Sequence, residues 1–223
     1  MENLRLKKHH NLVIAADGSA ASGKTTGAKK ISKRFGLKFL SSGLLYRYAS
    51  YLILKNKPKN KIKYLKKRFK KFNLNKLKKI KLHSAEISEH TSIIAKEKKV
   101  RHILKIFQKK FAKKYNKVCI EGRDIGTVIL PKADIKFFFV CDLNTAAKRR
   151  FKELKKKNKK LIFSKVRKQL QMRNFRDVSR KNSPLLKSPD AVIVDTGKLK
   201  KIPDMINKMS EIMESKIRSK YGS

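Results

Sequence analysis

The sequence predicts a doubly wound α/β fold: three layers, with helices on both faces of a five-stranded parallel sheet. Two observations carry that prediction. Five short apolar runs, at 12–16, 38–40, 117–120, 135–141 and 191–194, alternate with stretches of helical periodicity. A complete G-x-x-x-x-G-K-[ST] motif follows the first run and leads into the first helix.

The first run, Leu12-Val13-Ile14-Ala15-Ala16, is short and uninterrupted, as expected of a strand buried on both faces. Gly18-Ser19-Ala20-Ala21-Ser22-Gly23-Lys24-Thr25 follows, with Thr26 closing the segment. Gly18 and Gly23 allow the backbone to turn its N–H groups toward a phosphate chain, and the helix starting near Lys24 adds its positive end. Lys24 is placed to reach the β- and γ-phosphates, and the Thr25 hydroxyl to meet Mg²⁺. This segment predicts binding of a nucleoside triphosphate.

Helical periodicity then marks 27–35, 43–54, 84–115, 145–156, 163–180 and 200–218, interleaved with the remaining apolar runs. Ligands in such folds sit at the carboxyl ends of the strands. The stretch 55–81 breaks the rhythm with Pro58, Asn-Lys repeats and sparse apolar residues. We take 55–83 as a small insertion within a single domain spanning 1–223, mobile or weakly folded and able to close over a substrate. The tail Tyr221-Gly222-Ser223 is expected to fray.

Composition narrows the functional classes. Hydrophobic residues make up 40% of the 223, a globular value. The apolar runs fall far short of the ~20 residues that cross a bilayer. The basic segment 1–11 is followed by too short a run for a secretion signal, so a cytoplasmic location is expected, with no membrane partner. Cys119 and Cys141 lie in two separate apolar runs and read as reduced core thiols. Lysine and arginine number 61 against 16 acids, a net charge of +45. The excess is mostly lysine spread from Lys7 to Lys220, which fits a solvated coat encoded by an A+T-rich genome. No RNA-binding motif accompanies it, so no specific nucleic-acid partner is predicted, although incidental polyanion binding at low salt is expected.

Three further segments carry chemistry. Ser41-Ser42-Gly43-Leu44-Leu45-Tyr46-Arg47 follows the second run, and Glu121-Gly122-Arg123-Asp124-Ile125-Gly126-Thr127 the third. Arg173, Asp177 and Arg180 are spaced four and three apart, so they share one helical face. Two arginines flanking a carboxylate suit a ribose hydroxyl next to a phosphate.

Together these segments resemble the bacterial cytidylate kinases, P-loop nucleoside monophosphate kinases, over nearly the whole chain. Gly18 through Thr26 stand for the family loop G-x-x-G-x-G-K-G-T, and Ser42-Gly43-Leu44-Leu45-Tyr46-Arg47 for S-G-x-x-Y-R. Gly122 to Thr127 match G-R-D-x-G-T, with Pro131 after it; Arg173 to Arg180 match R-x-x-R-D-x-x-R. Pro184-Leu185 and the segment from Asp190-Ala191 to Asp195-Thr196 complete the pattern.

The resemblance implies a P-loop NTPase fold with a short nucleoside-monophosphate-binding insertion and a helical lid near 155–180. It implies phosphoryl transfer from ATP, with Mg²⁺, to CMP and dCMP. Ser42, Tyr46, Arg47, Arg123, Asp124, Arg173, Asp177 and Arg180 would then hold the acceptor, and Ser92 and Arg101 would read its cytosine. Lys24, Arg123, Arg173 and Arg180 would act on the transferring group. A monomer is expected.

Three departures stand out. Thr25 replaces the family glycine, so either Thr25 or Thr26 could face the metal. The insertion is short and lysine-rich. His83 replaces a frequent arginine and receives no role. Arg149-Arg150 could stack on the donor base or form an exposed face. Two alternatives stay open: another acceptor such as UMP, and a basic RNA-associated protein that binds ATP.

Overall fold

A computed structural model describes residues 10–156, 159–199 and 201–222. Strands β1 (Leu12–Gly18), β2 (Lys38–Ser41), β3 (Lys117–Glu121), β4 (Ile135–Val140) and β5 (Val192–Asp195) form one all-parallel sheet in the order β2-β3-β1-β4-β5. Central β1 shows why its run is apolar throughout. Leu12, Ile14 and Ala16 pack into one core, with helices α1 (Lys24–Arg34) and α8 (Ile202–Tyr221). Ala15 and Val13 pack into the opposite core, with α2 (Ser42–Asn56) and α5 (Lys98–Lys114). Successive side chains of a strand point to opposite faces, so burial on both faces demands an unbroken run.

Caps set several boundaries. Ser41 accepts from Leu44 N and starts α2; Ser84 accepts from Ile87 N and starts α4 (Ala85–Ile94). Asp142 accepts from Thr145 N, so α6 (Leu143–Lys155) begins before the expected position. Helix α7 (Phe163–Ser179) follows, within the expected lid; positions 157 and 158 of that lid, like Lys200 of the last expected helix, lie outside the described residues. The same holds for 1–9 of the basic N-terminal segment and for Ser223.

The structure corrects several expectations. The stretch 84–115 is two helices, broken at Ala95 to Glu97, where the Ala95 carbonyl accepts from Arg101 Nη1 at 3.0 Å. The expected weakly folded insertion carries α3 (Lys61–Lys70) and a 3₁₀ segment (Leu74–Lys79). Its Leu65 and Phe69 are one turn apart and buried, and Phe69 and Phe72 join Tyr48 and Phe107 in an aromatic cluster. Tyr221 is anchored rather than frayed, its ring stacked on His10 at 3.9 Å and its hydroxyl donating to the Asn11 carbonyl. Cys119 is buried in β3, whereas Cys141 lies just past β4 and is half-buried. Among the described residues no helix is long and apolar enough to cross a membrane.

Candidate active site

The glycine loop joins β1 to α1 at the carboxyl edge of the sheet. Gly18 has φ +151° and Gly23, the residue capping α1, has φ +80°. The Ser19 carbonyl accepts from Ser22 Oγ at 2.9 Å and from Lys24 Nζ at 3.2 Å. The Lys24 ammonium also lies 3.9 Å from Glu121 Oε2 at the end of β3. Burial, then the charge of Arg123, lowers Lys24 to about 7. Thr25 and Thr26 both expose their side chains at the start of α1.

Beside the loop is a small cleft of about 60 Å³, lined by residues from the segments after the second and third strands, from the helix face carrying Arg173 to Arg180, and by Ser92 and Arg101. Ser42 and Tyr46 come from α2, Ser92 from α4 and Arg101 from α5. Arg123 and Asp124 follow β3; Arg173, Asp177 and Arg180 come from α7 and its end. The helix break explains how Ser92 and Arg101 meet. Nine residues along one continuous helix amount to about two and a half turns, which would put them on opposite sides.

Inside the cleft, charges pair closely. Asp124 Oδ2 accepts from Arg101 Nη2 at 2.5 Å, and its other oxygen is 3.9 Å from Arg180 Nη2. Asp177 accepts from Arg123 Nε at 2.8 Å and lies 3.5 Å from Arg180 Nη1. Burial alone would raise Asp177, but Arg123 and Arg173 outweigh it and hold the carboxyl below its usual range. Burial, then Arg123, brings Arg173 down to about 9. Arg180 Nη2 is buried without a hydrogen-bond partner among the described residues.

Of the residues expected to hold the acceptor, Arg47 alone is turned away. Its guanidinium donates to the Leu82 carbonyl at 3.0 Å and to Ser88 Oγ at 2.8 Å, tying α2 to α4. Nor is Arg149 free to stack: it donates to the Thr196 hydroxyl at 2.9 Å and the Thr196 carbonyl at 2.7 Å. Thr196 in turn donates to the Ser22 carbonyl, which braces the glycine loop.

Four residues without an assigned role matter here. Glu121 accepts from Ser41 Oγ at 2.5 Å and faces Lys24. Asn174 Oδ1 accepts from Ala20 N at 3.0 Å, joining α7 to the glycine loop. Asp17 accepts from the Ile125 and Gly126 amides at 2.8 and 2.7 Å, fixing the loop that carries Arg123. A strand ending in an acid just before G-R-D is the one sequence signal for Glu121.

A family model described as "Cytidylate kinase" matches residues 14–215. The chain belongs to the cytidylate kinase family. Among curated members, the cytidylate kinase of Bartonella tribocorum is 40% identical over 192 residues, covering 84% of this chain and 87% of that one. The cytidylate kinase of Fusobacterium nucleatum is 36% identical over 215 residues, covering 92% and 98%. That of Clostridium tetani is 34% identical over 222 residues, covering 95% and 97%. A P-loop kinase fold accounts for the sheet and for the loop at its carboxyl edge.

Proposed function

We propose that this chain transfers the γ-phosphoryl group of ATP to CMP and dCMP, giving ADP and CDP or dCDP. The observation that carries the reading is the convergence of five separated segments on one cationic cleft beside the glycine loop. Membership of the cytidylate kinase family supports the acceptor.

The residues act by position and charge. The loop from Gly18 to Thr26 holds the triphosphate through its amides, and Lys24 neutralises the β- and γ-oxygens. A phosphate oxygen of the acceptor attacks the γ-phosphorus, the bond to the β,γ-bridging oxygen breaks, and ADP leaves. The acceptor is already an oxyanion near neutral pH, so no strong base is needed, and charge neutralisation is the main task. Arg123, Arg173 and Arg180 are assigned to that task. Asp177 is assigned to the ribose, Asp124 to orienting Arg101 and Arg180, Ser42 and Tyr46 to the acceptor phosphate wall, and Ser92 with Arg101 to cytosine. Arg47 is better placed as a strut that holds α4, and Ser92 with it, against α2.

The oxygen donors at hand suit Mg²⁺, a hard cation held by few protein ligands and by phosphates. The open hydroxyl of Thr25 or Thr26 would hold it directly, and Glu121 through water. When bound it would offset charge on the phosphate oxygens. The cleft is far smaller than the ~300–1,000 Å³ of typical ligand sites, so α7, which lines it, is assigned an outward movement that admits a nucleotide and a closure that excludes water.

The test is ADP formation with Mg²⁺ and ATP when CMP, dCMP, UMP, AMP, GMP and shikimate are offered separately. Turnover with CMP and dCMP above the others is expected. Turnover with a different acceptor would discard the Ser92 and Arg101 assignments, and acceptor-independent behaviour would discard the kinase reading.

A further inference from the structure

A larger cavity, of about 1,080 Å³, lies on the other side of the β2–α2 junction. It sits between the edge strand β2, helices α3 and α5 and the 3₁₀ segment. Ser41 and Leu44 line it, whereas their neighbours Ser42 and Gly43 line the candidate active site.

Its floor is apolar and largely aromatic, built from Phe39, Phe72, Ile103, Ile106, Phe107 and Phe111. Ile106 is 44% exposed there. Among the polar groups on the lining, Ser41 donates to Glu121 and the Asn73 side chain accepts from Asn75 N; His102 of α5 lies there too. The rim is cationic. Lys66 and Lys70 stand one turn apart on α3, Lys110 and Lys114 one turn apart on α5, and Lys38 lies on β2. The Lys38 and Lys114 ammonium groups stand 5.9 and 5.6 Å from the centre of the Tyr115 ring. No carboxylate lines the cavity, and these five lysines form no ion pair among the described residues.

An open apolar floor is costly in water, at about 25 cal/mol per Å². Unneutralised ammonium groups around it attract an anion. We propose that this cavity binds an amphipathic anion of the long-chain acyl type, with its chain on the phenylalanine and isoleucine floor. Its carboxylate or phosphate head lies among Lys38, Lys110 and Lys114. The cavity is at the upper end of the ~300–1,000 Å³ of ordinary ligand pockets, which leaves room for such a chain. A nucleotide fits less well, because reading a base needs buried donors and acceptors that are uncommitted, and this floor has few.

The experiment is calorimetric titration of the full chain with laurate below its micelle concentration, with dodecanol and acetate as tail-only and head-only controls. Three proteins are compared: wild type, Ile106→Glu, and the double variant Lys38→Glu/Lys114→Glu. All three changed residues are exposed and stand apart from the proposed catalytic machinery. One saturable site is expected, about tenfold or more tighter for laurate than for either control. Each variant should lose about tenfold in affinity while melting within a few degrees of wild type. The two variants perturb the floor and the rim separately, so the loss of either one's fold leaves the other as a test. No saturable binding, equal binding of dodecanol, laurate affinity unchanged in both folded variants, or displacement of laurate by ATP at this site would overturn the proposal. Because binding is read directly, the outcome is independent of the kinase assay.

Discussion

Replacing Gly18 by alanine tests whether this glycine serves the phosphate alone or the sheet as well. A Cβ at Gly18 would stand 2.8 Å from Phe139 Cβ, and closer still to the Phe139 carbonyl oxygen. Ordinary contact begins at 3.4 Å, so the overlap with that Cβ alone is about 0.6 Å. The obstructing atoms include backbone, and Gly18 pairs with Phe139 in the β1–β4 register, so relief requires parting two central strands. Overpacking costs about 1–3 kcal/mol, and the φ of +151° adds about 1–3 kcal/mol for a side-chain-bearing residue. The sum, roughly 4 kcal/mol at its centre, corresponds to a fall in Tm of about 8–16 °C for a chain of this size. Gly36→Ala is the control: it has φ +65° but nothing within 4 Å of its Cβ. That change should cost only about 1 kcal/mol. Thermal unfolding of both variants, with kcat/KM alongside, checks this; displacement of the loop by about 1 Å should lower kcat/KM by ~10² in Gly18→Ala. A Gly18→Ala protein melting within about 2 °C of wild type, or no lower than Gly36→Ala, would refute the packing argument.

Three other outcomes follow from the same geometry. Arg180→Ala should lower kcat by ~10³ or more while leaving ATP affinity within a few-fold, and unchanged turnover would remove α7 from the chemistry. Because burial and Arg123 lower Lys24 to about 7 in the free protein, triphosphate binding should take up a proton at pH 8 and little at pH 6. Titration in buffers of different ionisation enthalpy measures that uptake; in the free protein, Lys24's contribution to stability rises as pH climbs from about 7 toward its unfolded value near 10.5. Asp17→Ala should cost about 2–6 kcal/mol by leaving the Ile125 and Gly126 amides buried and unpaired, which urea unfolding would show. Burial raises Asp17 to about 6 against those two hydrogen bonds, so the part of its contribution that comes from protonation is present below pH 4 and lost as pH rises through 6. The variant should flatten that part of the stability–pH curve.

The expectations that agree with the structure concern neighbours in sequence. The apolar runs became strands within a residue or two; burial on both faces accounts for the unbroken run of central β1, whereas edge strand β5 leaves Val192 and Ile193 exposed. The insertion was misjudged because its lysines mask a short amphipathic pattern. Leu65 and Phe69 are sparse, but one turn apart they suffice to seat α3 against α5. The stretch 84–115 read as one helix because no proline or glycine marks the break at 95–97; Arg101, in the first turn of α5, donates its side chain to the Ala95 carbonyl at that break. Arg47 shows the reverse case. Its motif suggested a phosphate ligand, and the Leu82 carbonyl and Ser88 hydroxyl, distant in sequence, engage its Nη1.

Sequence alone determined the loop, the succession of strands and helices, and the family. Each depends on local backbone preference, on periodicity or on a contiguous motif. Tertiary structure alone decided that β3 lies beside β1, which sets Glu121 against Lys24. It also brought Asp17 under the Arg123 loop, and opened an apolar cavity behind β2 while keeping the charged cleft in front. These are contacts between residues from about 40 to more than 100 positions apart, and their partners are chosen by crossover geometry and by competition for hydrogen bonds in a low-dielectric interior.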